Sequence, residues 1–200
     1  AVIKSVTGEE TTSEEVGGAR THCTRSGNAH FFALNEEQCF QQVREVLGYL
    51  PSNNMGDAPR IATNDPVDRV EMSLREMVPT NPNKGYDVRN VIKTVADDGK
   101  FVEVMADWAK NIVIGYASFD GMPVGIIANQ ANVMAGCLDI DCSDKASRFI
   151  RHCDAFNLPL VTFVDVPGYL PGRNQEWNGI IRHGAKMLYA YSEATVPMVT

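Results

Sequence analysis

"LPLVTFVDVPGYLPG", residues 158–172, is the stretch that decides the fold. Its first half is apolar at consecutive positions, which is typical of a strand in a parallel sheet whose two faces are both covered. Four turn-forming residues follow before any helical pattern begins: Pro167, Gly168, Pro171 and Gly172. Such a loop has few side chains to bury, and its prolines lack an N–H donor. We therefore predict that this loop serves to present its backbone groups to a ligand.

The segments on either side of this stretch predict an α/β fold. A helix capped by Ser143 ("SDKASRFIRHCDAF") precedes it, and a helix near "NGIIRHGAKMLYAYSEA" and a strand "VPMVT" follow it. Strand, helix and strand in this order predict a right-handed crossover between parallel strands. Further upstream, a helix "DVRNVIKTVAD" precedes the strands "FVEVM", "IVIGYASF" and "VGIIAN", with a hairpin turn at Asp120-Gly121.

The first third of the chain is less regular. Ser13 is a candidate cap for a weak helix, and "NEEQCFQQVREVLGYL" predicts an amphipathic helix with Asn35 as its cap and Gln38 reaching back. Residues 51–85 are rich in Pro, Asn and Asp and predict a long connection. We place a domain boundary inside it.

Composition excludes several classes of function. The 200 residues are 44% hydrophobic with a net charge of −7, and they show no basic stripe that would indicate nucleic-acid binding. No apolar run reaches the ~18 residues of a membrane span, and no signal peptide is visible. Five cysteines without a CxxC pair indicate reduced thiols. Both ends look cut, so we expect a segment of a longer polypeptide.

The loop of residues 165–172 is the first candidate site. Ligands of parallel α/β sheets bind at the carboxyl ends of the strands, where backbone N–H groups converge. The N–H groups around Gly168 to Gly172 therefore predict an anion or oxyanion site, and a rigid connector is the alternative. Asp165 and Glu176 are candidate general bases, although an Asp at a strand end more often accepts bonds from the following turn.

Other reactive side chains favour structural roles. Arg182 and His183 either reach a carboxylate or form a solvated face, and spacing favours the solvated face. His22, Cys23 and His30 lack companions at metal-ligand spacing, so we predict no metal site. Cys153 falls on the apolar face of its helix, which indicates a buried, inert thiol.

Five stretches together resemble one family. They are "GEETTSEEVGGARTHCTRSGNAH", "YLPSNN", "AKNIVIGYASFDGMPVGIIANQ", "GCLDIDCSDKASRFIRHCDAFNLPLVTFVDVPGYLPG" and "QEWNGIIRHGAKMLYAYSEATVP". The set resembles the carboxyltransferase (β) subunit of biotin-dependent acyl-CoA carboxylases. Within that family it is most similar to the propionyl-CoA carboxylase β branch with its transcarboxylase and methylmalonyl-CoA decarboxylase relatives.

The resemblance implies a crotonase-like (ClpP/crotonase) α/β fold with two related domains, each built on a ββα spiral. Residues 1–63 would be the C-terminal part of the N domain, 64–85 the interdomain connection, and 86–200 the N-terminal part of the C domain. In the family, acyl-CoA lies on the N domain of one subunit and biotin enters against the C domain of another. A dimer with shared active sites, commonly within a hexamer, is therefore expected.

The implied activity is carboxyl transfer between carboxybiotin and the α-carbon of a short acyl-CoA, propionyl-CoA to methylmalonyl-CoA. Carboxybiotin releases CO2, the biotin enolate removes the α-proton of the acyl-CoA, and the thioester enolate attacks CO2. Both enolate oxygens need backbone N–H donors. The implied partners are a biotin carboxylase and a carrier domain or subunit that holds the biotin. No nucleic acid and no membrane insertion are expected, and the compartment would be bacterial cytoplasm or the mitochondrial matrix.

The resemblance also assigns residues. Gly172 and Gly168 are expected to be catalytic through their backbone, and the biotin wall comprises Pro171, Gly172 and Arg173. The family's acyl-CoA stretch matches roughly residues 101–135 and includes Asn129, Gln130 and Ala135. The remaining donors would lie in a Gly-Gly-Ala motif after Thr200 and, for the thioester, mostly before Ala1.

Some positions depart from the family pattern. Arg173-Asn174 stands where a small pair is usual, Trp177 where Tyr is usual and Met198 where Lys is common. Arg173 would place a positive charge at the biotin mouth or face solvent.

Three other functions stay open. A decarboxylase running the same half-reaction in reverse, coupled to a sodium pump, differs only in its partner subunits. A crotonase-type hydratase or isomerase would need a carboxylate pair over the acyl chain. A non-catalytic CoA-binding module is the non-enzyme alternative. The resemblance places the residue that tunes acyl-chain specificity just after the expected Gly-Gly-Ala motif.

Overall fold

A mixed sheet forms the centre of the molecule in the computed structural model, which describes residues 2–81 and 84–200. Its strands run in the order β1-β2-β3-β4-β5: Val102–Val104, Ile112–Phe119, Met122–Asn129, Leu160–Phe163 and Met198–Val199. β1, β2 and β3 are antiparallel, whereas β3, β4 and β5 are parallel. The predicted hairpin and the predicted parallel strands are both confirmed.

Helices precede, separate and follow these strands. Those of the described residues are α1 Val2–Thr7, α2 Ser13–Gly17, α3 Ala19–Thr21, α4 Glu36–Leu47, α5 Leu74–Met77, α6 Val88–Val95, α7 Ile140–Ala155, α8 Arg173–Trp177 and α9 Ile180–Glu193. A π-helical turn at His22–Ser26 and 3₁₀ turns at Asp97–Gly99 and Met134–Gly136 complete the helical structure.

Two of the predicted helix caps are wrong by a few residues. α7 is capped by Asp139, whose carboxylate accepts a hydrogen bond from the N–H of Cys142 at 2.9 Å. Ser143 lies inside the first turn and donates its hydroxyl back to the Asp139 carbonyl. α2 is capped by Thr12, not Ser13, because Thr12 and Glu15 form a reciprocal capping box.

The cap of α4 is confirmed. The Asn35 side chain accepts a hydrogen bond from the N–H of Gln38 at 2.9 Å. The Gln38 side chain does reach back, but it accepts from the N–H of Leu34 and not from that of Asn35.

Helices cover both faces of the sheet. On one face, Val88 and Ile92 of α6 pack against Val113 and Ala117 of β2 and their neighbours. On the other, residues of α7 such as Phe149 belong to a larger cluster with the alternate residues of β2 and with Ala190 of α9. β2 therefore has a period-2 pattern whose two sides are both buried.

β4 is less covered than its sequence predicts. Only Leu160 is fully buried, Val161 to Phe163 are half-buried, and Val164 is exposed. Its outer neighbour β5 has two exposed residues. The expectation that both faces of this strand are fully covered is therefore wrong for the described residues.

The long connection packs against the sheet. The N–H of Ile61 donates to the carbonyl of Gly121 at 2.8 Å, and Arg69 donates to the carbonyls of Val95 and Ala96 at the end of α6. Residues 82 and 83 of the predicted connection lie outside the described residues. The domain boundaries at 63 and 86 stay predictions.

Candidate active site

The loop that follows β4 runs beside the segment that follows β3. The Leu138 N–H donates to the carbonyl of Gly168 at 3.0 Å, and the Leu170 N–H donates to the carbonyl of Leu138 at 2.8 Å. Because β3 and β4 are parallel, both loops leave the same edge of the sheet. This is the edge at which α/β proteins bind ligands.

Gly168 and Gly172 hold conformations that only glycine adopts readily. Their φ angles are +144° and +124°, and a Cβ atom at either position would meet nothing within 4 Å. Within the described residues, the N–H of Gly172 has no hydrogen-bond acceptor, while its carbonyl accepts from the N–H of Glu176 in α8. The Gly172 N–H is thus unpaired among the described residues, and the space where a side chain would begin is open.

Arg173 and Trp177 border this opening. Both are exposed, and the Arg173 guanidinium lies 6.0 Å from the centre of the Trp177 ring, a cation–π distance. Pro171, immediately before Gly172, is also exposed. The three residues predicted for the biotin wall therefore lie together on one accessible surface.

Asn129 links the two loops. Its side-chain oxygen accepts from the N–H of Asp165 at 3.3 Å, and its amide donates to the carbonyl of Gly136 at 3.2 Å. A Cβ at Gly136 would lie 2.6 Å from the Asp165 carbonyl, so the loops approach each other as closely as glycine allows. Asn129 is buried, and its side-chain hydrogen bonds go to the protein.

Gln130 is more deeply buried than Asn129, and its side chain is also hydrogen-bonded to the protein. It is only 1% exposed; its amide donates to Asp87 at 2.7 Å, and its oxygen accepts from the N–H groups of Val88 and Asn132. Ala135, by contrast, is exposed and holds a left-handed φ of +52°. Of the three residues predicted for acyl-CoA, Ala135 offers surface to a ligand, whereas Asn129 and Gln130 shape the surrounding backbone.

Sequence reasoning missed Tyr86. Burial, together with the hydrogen bond to the Asp165 carboxylate and its negative charge, raises the pKa of Tyr86 to about 12. Tyr86 precedes the Asp87 cap of α6, and no local pattern links it to Asp165. The Asp165 carboxylate is therefore close to a tyrosine that is distant in sequence, and Asp165 itself donates its N–H to the Asn129 side chain.

Of the structural roles predicted for other reactive side chains, one is confirmed and one is wrong. Cys153 is fully buried, and burial raises the pKa of its thiol, which confirms an inert thiol. The solvated reading of His183 is wrong because its Nδ1 lies 2.8 Å from Asp144 Oδ2 and its side chain is 18% exposed. Arg182 is exposed, with one hydrogen bond to the Asn178 carbonyl.

In the part of the chain that the structure describes, no three His, Cys, Asp or Glu side chains are grouped as a metal would require. Among the same residues, no helix has the length and apolar character of a membrane span.

Comparison with known proteins identifies the class. The model of the carboxyl transferase domain matches residues 1–200, and the chain belongs to that family. The alpha subunit of methylmalonyl-CoA decarboxylase from Veillonella parvula is 62% identical over 200 residues, covering 100% of this chain and 39% of that protein. The carboxyltransferase subunit of propionyl-CoA carboxylase from Haloferax mediterranei is 57% identical over 199 residues, again covering 100% and 39%.

A solved structure agrees. The crystal structure of transcarboxylase 12S, with methylmalonyl-CoA and methylmalonic acid bound, has a TM-score of 0.96 at 53% identity, covering 98% of this chain and 38% of that one. The predicted family and its crotonase-like α/β fold are confirmed. The chain spans 39% of the length of the two curated relatives.

Proposed function

We propose that this chain is part of a biotin-dependent enzyme that transfers a carboxyl group between carboxybiotin and the α-carbon of a short acyl-CoA. Propionyl-CoA and methylmalonyl-CoA are the favoured pair. The observation that carries the proposal is the N–H of Gly172, which is unpaired among the described residues and belongs to a glycine with open space at its Cα, in the loop that follows β4. The names of both curated relatives support the reaction class.

The loop fits a ligand with a developing negative oxygen. Carboxybiotin would supply CO2 and the base that takes the α-proton of the acyl-CoA. The chain's part is to hold donors in place, and a fixed backbone N–H contributes roughly 2.7–4 kcal/mol in comparable oxyanion holes. Gly172 is our proposed donor, with Gly168 giving the loop its shape.

The remaining site residues have supporting roles in this proposal. Pro171 and Arg173 border the biotin carbonyl, and Ala135 lines the acyl-CoA side. Asn129 and Gln130 act through the backbone that they hold. The segment with Ala135 and the loop with Gly172 both leave the carboxyl ends of strands of the same sheet. If biotin and acyl-CoA bind to different domains, as expected, acyl-CoA must make its further contacts with another subunit.

The proposed assembly follows from the same chemistry. Biotin would arrive on a carrier domain or subunit loaded by a biotin carboxylase, and the active site would lie between two copies of the subunit. A hexamer is favoured because the transcarboxylase 12S structure is described as one. We place the enzyme in bacterial cytoplasm or in the mitochondrial matrix.

One observation favours a second direction for the same chemistry. The decarboxylase alpha subunit from Veillonella parvula is 62% identical, against 57% for the carboxylase subunit. In a decarboxylase, the carboxyl group of methylmalonyl-CoA would pass to biotin and then leave as CO2. The residues proposed above would serve both directions.

The first test uses the complete natural polypeptide purified without its carrier subunit. We expect methylmalonyl-CoA to lose its carboxyl group to added free biotin or biocytin, with no transfer when biotin is omitted. The second test adds the partner subunits. Absence of any biotin-dependent transfer would overturn the proposal. ATP-dependent carboxylation of propionyl-CoA would identify a carboxylase, and net decarboxylation without ATP would identify the second candidate.

A further inference from the structure

Asn111 lies behind the candidate active site, in the turn that leads into β2. It is 1% exposed. Its side-chain amide donates to the carbonyl of Cys137 at 2.8 Å and to Asp139 Oδ1 at 3.1 Å. The backbone carbonyl of Asn111 accepts a hydrogen bond from the N–H of Gln130 at 2.9 Å. One buried amide therefore holds both ends of the segment 137–139.

That segment supports the loop that carries Gly172. Leu138, between the two residues bound by Asn111, exchanges backbone hydrogen bonds with Gly168 and Leu170. Immediately after Asp139, the N–H of Ile140 donates to the Gln175 side chain in α8 at 3.1 Å. The position of Gly172 thus depends on contacts on both sides of it, and both begin at the segment fixed by Asn111.

The turn that carries Asn111 is itself rigid. Lys145 of α7 is fully buried and donates to three carbonyls, those of Trp108 at 2.8 Å, Ala109 at 3.2 Å and Ile112 at 2.8 Å. These carbonyls lie on both sides of Asn111. A displacement of the segment 137–139 therefore cannot be absorbed by movement of the turn without breaking buried hydrogen bonds.

We propose that Asn111 is a positioning residue for carboxyl transfer: it sets the position of the Gly168–Gly172 loop through the segment 137–139 without touching either substrate. The inference rests on the proposed function. Because a fixed donor stabilises the transition state more than bound substrate, misplacing Gly172 lowers kcat more than it raises KM.

Asn111→Asp is the discriminating variant. At pH 8 its carboxylate would face the Asp139 carboxylate and the Cys137 carbonyl, so the segment is pushed away. We expect kcat to fall about tenfold or more while KM for methylmalonyl-CoA stays within about threefold, as for loss of a transition-state interaction. Other titratable and charged groups near this position include Lys145 behind the turn, the thiols of Cys137 and Cys142, and the Lys110–Asp107 ion pair of the same turn. Glu103 and Arg89 act on Lys145 from further away.

Lowering the pH should restore activity to Asn111→Asp, which a variant that is merely less stable would not show. A carboxyl buried beside Asp139 has a raised pKa, and once protonated it donates a hydrogen bond again. The activity of Asn111→Asp relative to wild type should therefore recover between pH 8 and pH 6. Asn90→Asp, which makes the same change on the exposed surface of α6, should follow wild type at every pH.

The reciprocal variant Asn111→Asp with Asp139→Asn covers the case in which the single variant does not fold. It restores one donor–acceptor pair between the two positions, and we expect it to be folded and more active at pH 8 than Asn111→Asp. A folded single variant with kcat within threefold of wild type, or a folded reciprocal variant with no activity, would overturn the inference. An inactive wild type would overturn the proposed function and this inference together, whereas an active wild type with an unaffected Asn111→Asp would overturn this inference alone.

Discussion

At Gly172 the chain offers a backbone donor in place of a reactive side chain. The position has a φ of +124° and open space where a side chain would begin, so an added side chain would occupy the space proposed for a ligand and strain the loop. The role of the loop can therefore be tested by adding atoms rather than by removing a functional group.

Gly172→Val should depress turnover with free biotin while leaving acyl-CoA binding and folding largely intact. The branched side chain crowds the proposed donor, and loss of one such donor typically costs ~10²–10³-fold in kcat. Gly8→Val is the matched control, because Gly8 also has a positive φ of +77° and open space around it. Steady-state kinetics of both variants in the complete protein give the answer. Turnover of Gly172→Val within about threefold of wild type, below ~0.7 kcal/mol in barrier, would remove the loop from the mechanism.

Asp165→Asn and Glu176→Gln should lose little activity. Both carboxylates are exposed, and that of Asp165 is close to Tyr86. Since carboxybiotin supplies the base in the proposed reaction, neither residue is needed for proton removal. The kcat of each variant should be measured beside its thermal stability. A loss of ~10²–10⁴-fold in a stable variant, the usual range for acid–base catalysis, would favour a hydratase-like mechanism instead.

At the scale of elements, Asp144 joins α7 to α9. One carboxylate oxygen lies 2.8 Å from His183 Nδ1 and the other accepts from Lys186 Nζ at 2.8 Å. Burial on its own raises the pKa of Asp144, but the hydrogen bonds and charges of Lys186 and His183 outweigh it and hold that pKa below its ordinary value. Because the pKa of Asp144 is lowered in the folded state, its contacts stabilise the fold fully at pH values above the ordinary pKa of the carboxyl. This stability is lost as the pH falls through the lowered, folded-state pKa.

Asp144→Asn should therefore lower the free energy of unfolding by about 1 kcal/mol at pH 7, given the partial exposure of the pair. The difference from wild type should shrink as the pH falls below about 4, where the unfolded carboxyl is protonated too. Denaturant unfolding at several pH values measures this. Asp141→Asn is the contrast on the same helix, since burial and neighbouring acids raise the pKa of Asp141. It should cost nothing at pH 7, and a pH-independent difference for Asp144→Asn would contradict the assignment.

The elements that sequence predicted well are those specified locally. The β2–β3 hairpin and α6 follow from alternating or helical patterns and from turn or cap residues next to them. The cap of α7 was misplaced because Asp139 and Ser143 are both good caps, and only the buried contacts of the first turn distinguish them. The glycines and prolines of residues 165–172 located the candidate loop. The hydrogen bonds by which Asn111 and Asn129 support that loop cannot be predicted from the sequence, because the partners are distant in the chain.

At the scale of the whole molecule, α4 has an apolar face that the described residues do not cover. Phe40 is 57% exposed, Val43 49% and Leu47 61%, although the three lie on neighbouring positions of one helix. β5 adds a short, exposed strand at the edge of the sheet. Apolar faces and open edges of this kind favour association with other chains.

Residues 1–200 expressed alone should therefore self-associate and show no biotin-dependent transfer from methylmalonyl-CoA. The apolar face of α4 drives association, and Gly172 is only one of the donors that the proposed reaction needs. Light scattering and the transfer assay test the two parts together.

Phe40→Ser with Leu47→Gln should reduce the mass in solution without changing helix content, because both side chains are exposed. Ile92→Ser, in the buried face of α6, should instead unfold the chain and increase aggregation. A monodisperse, active monomer of these 200 residues would contradict both the role of the α4 face and the need for donors from elsewhere.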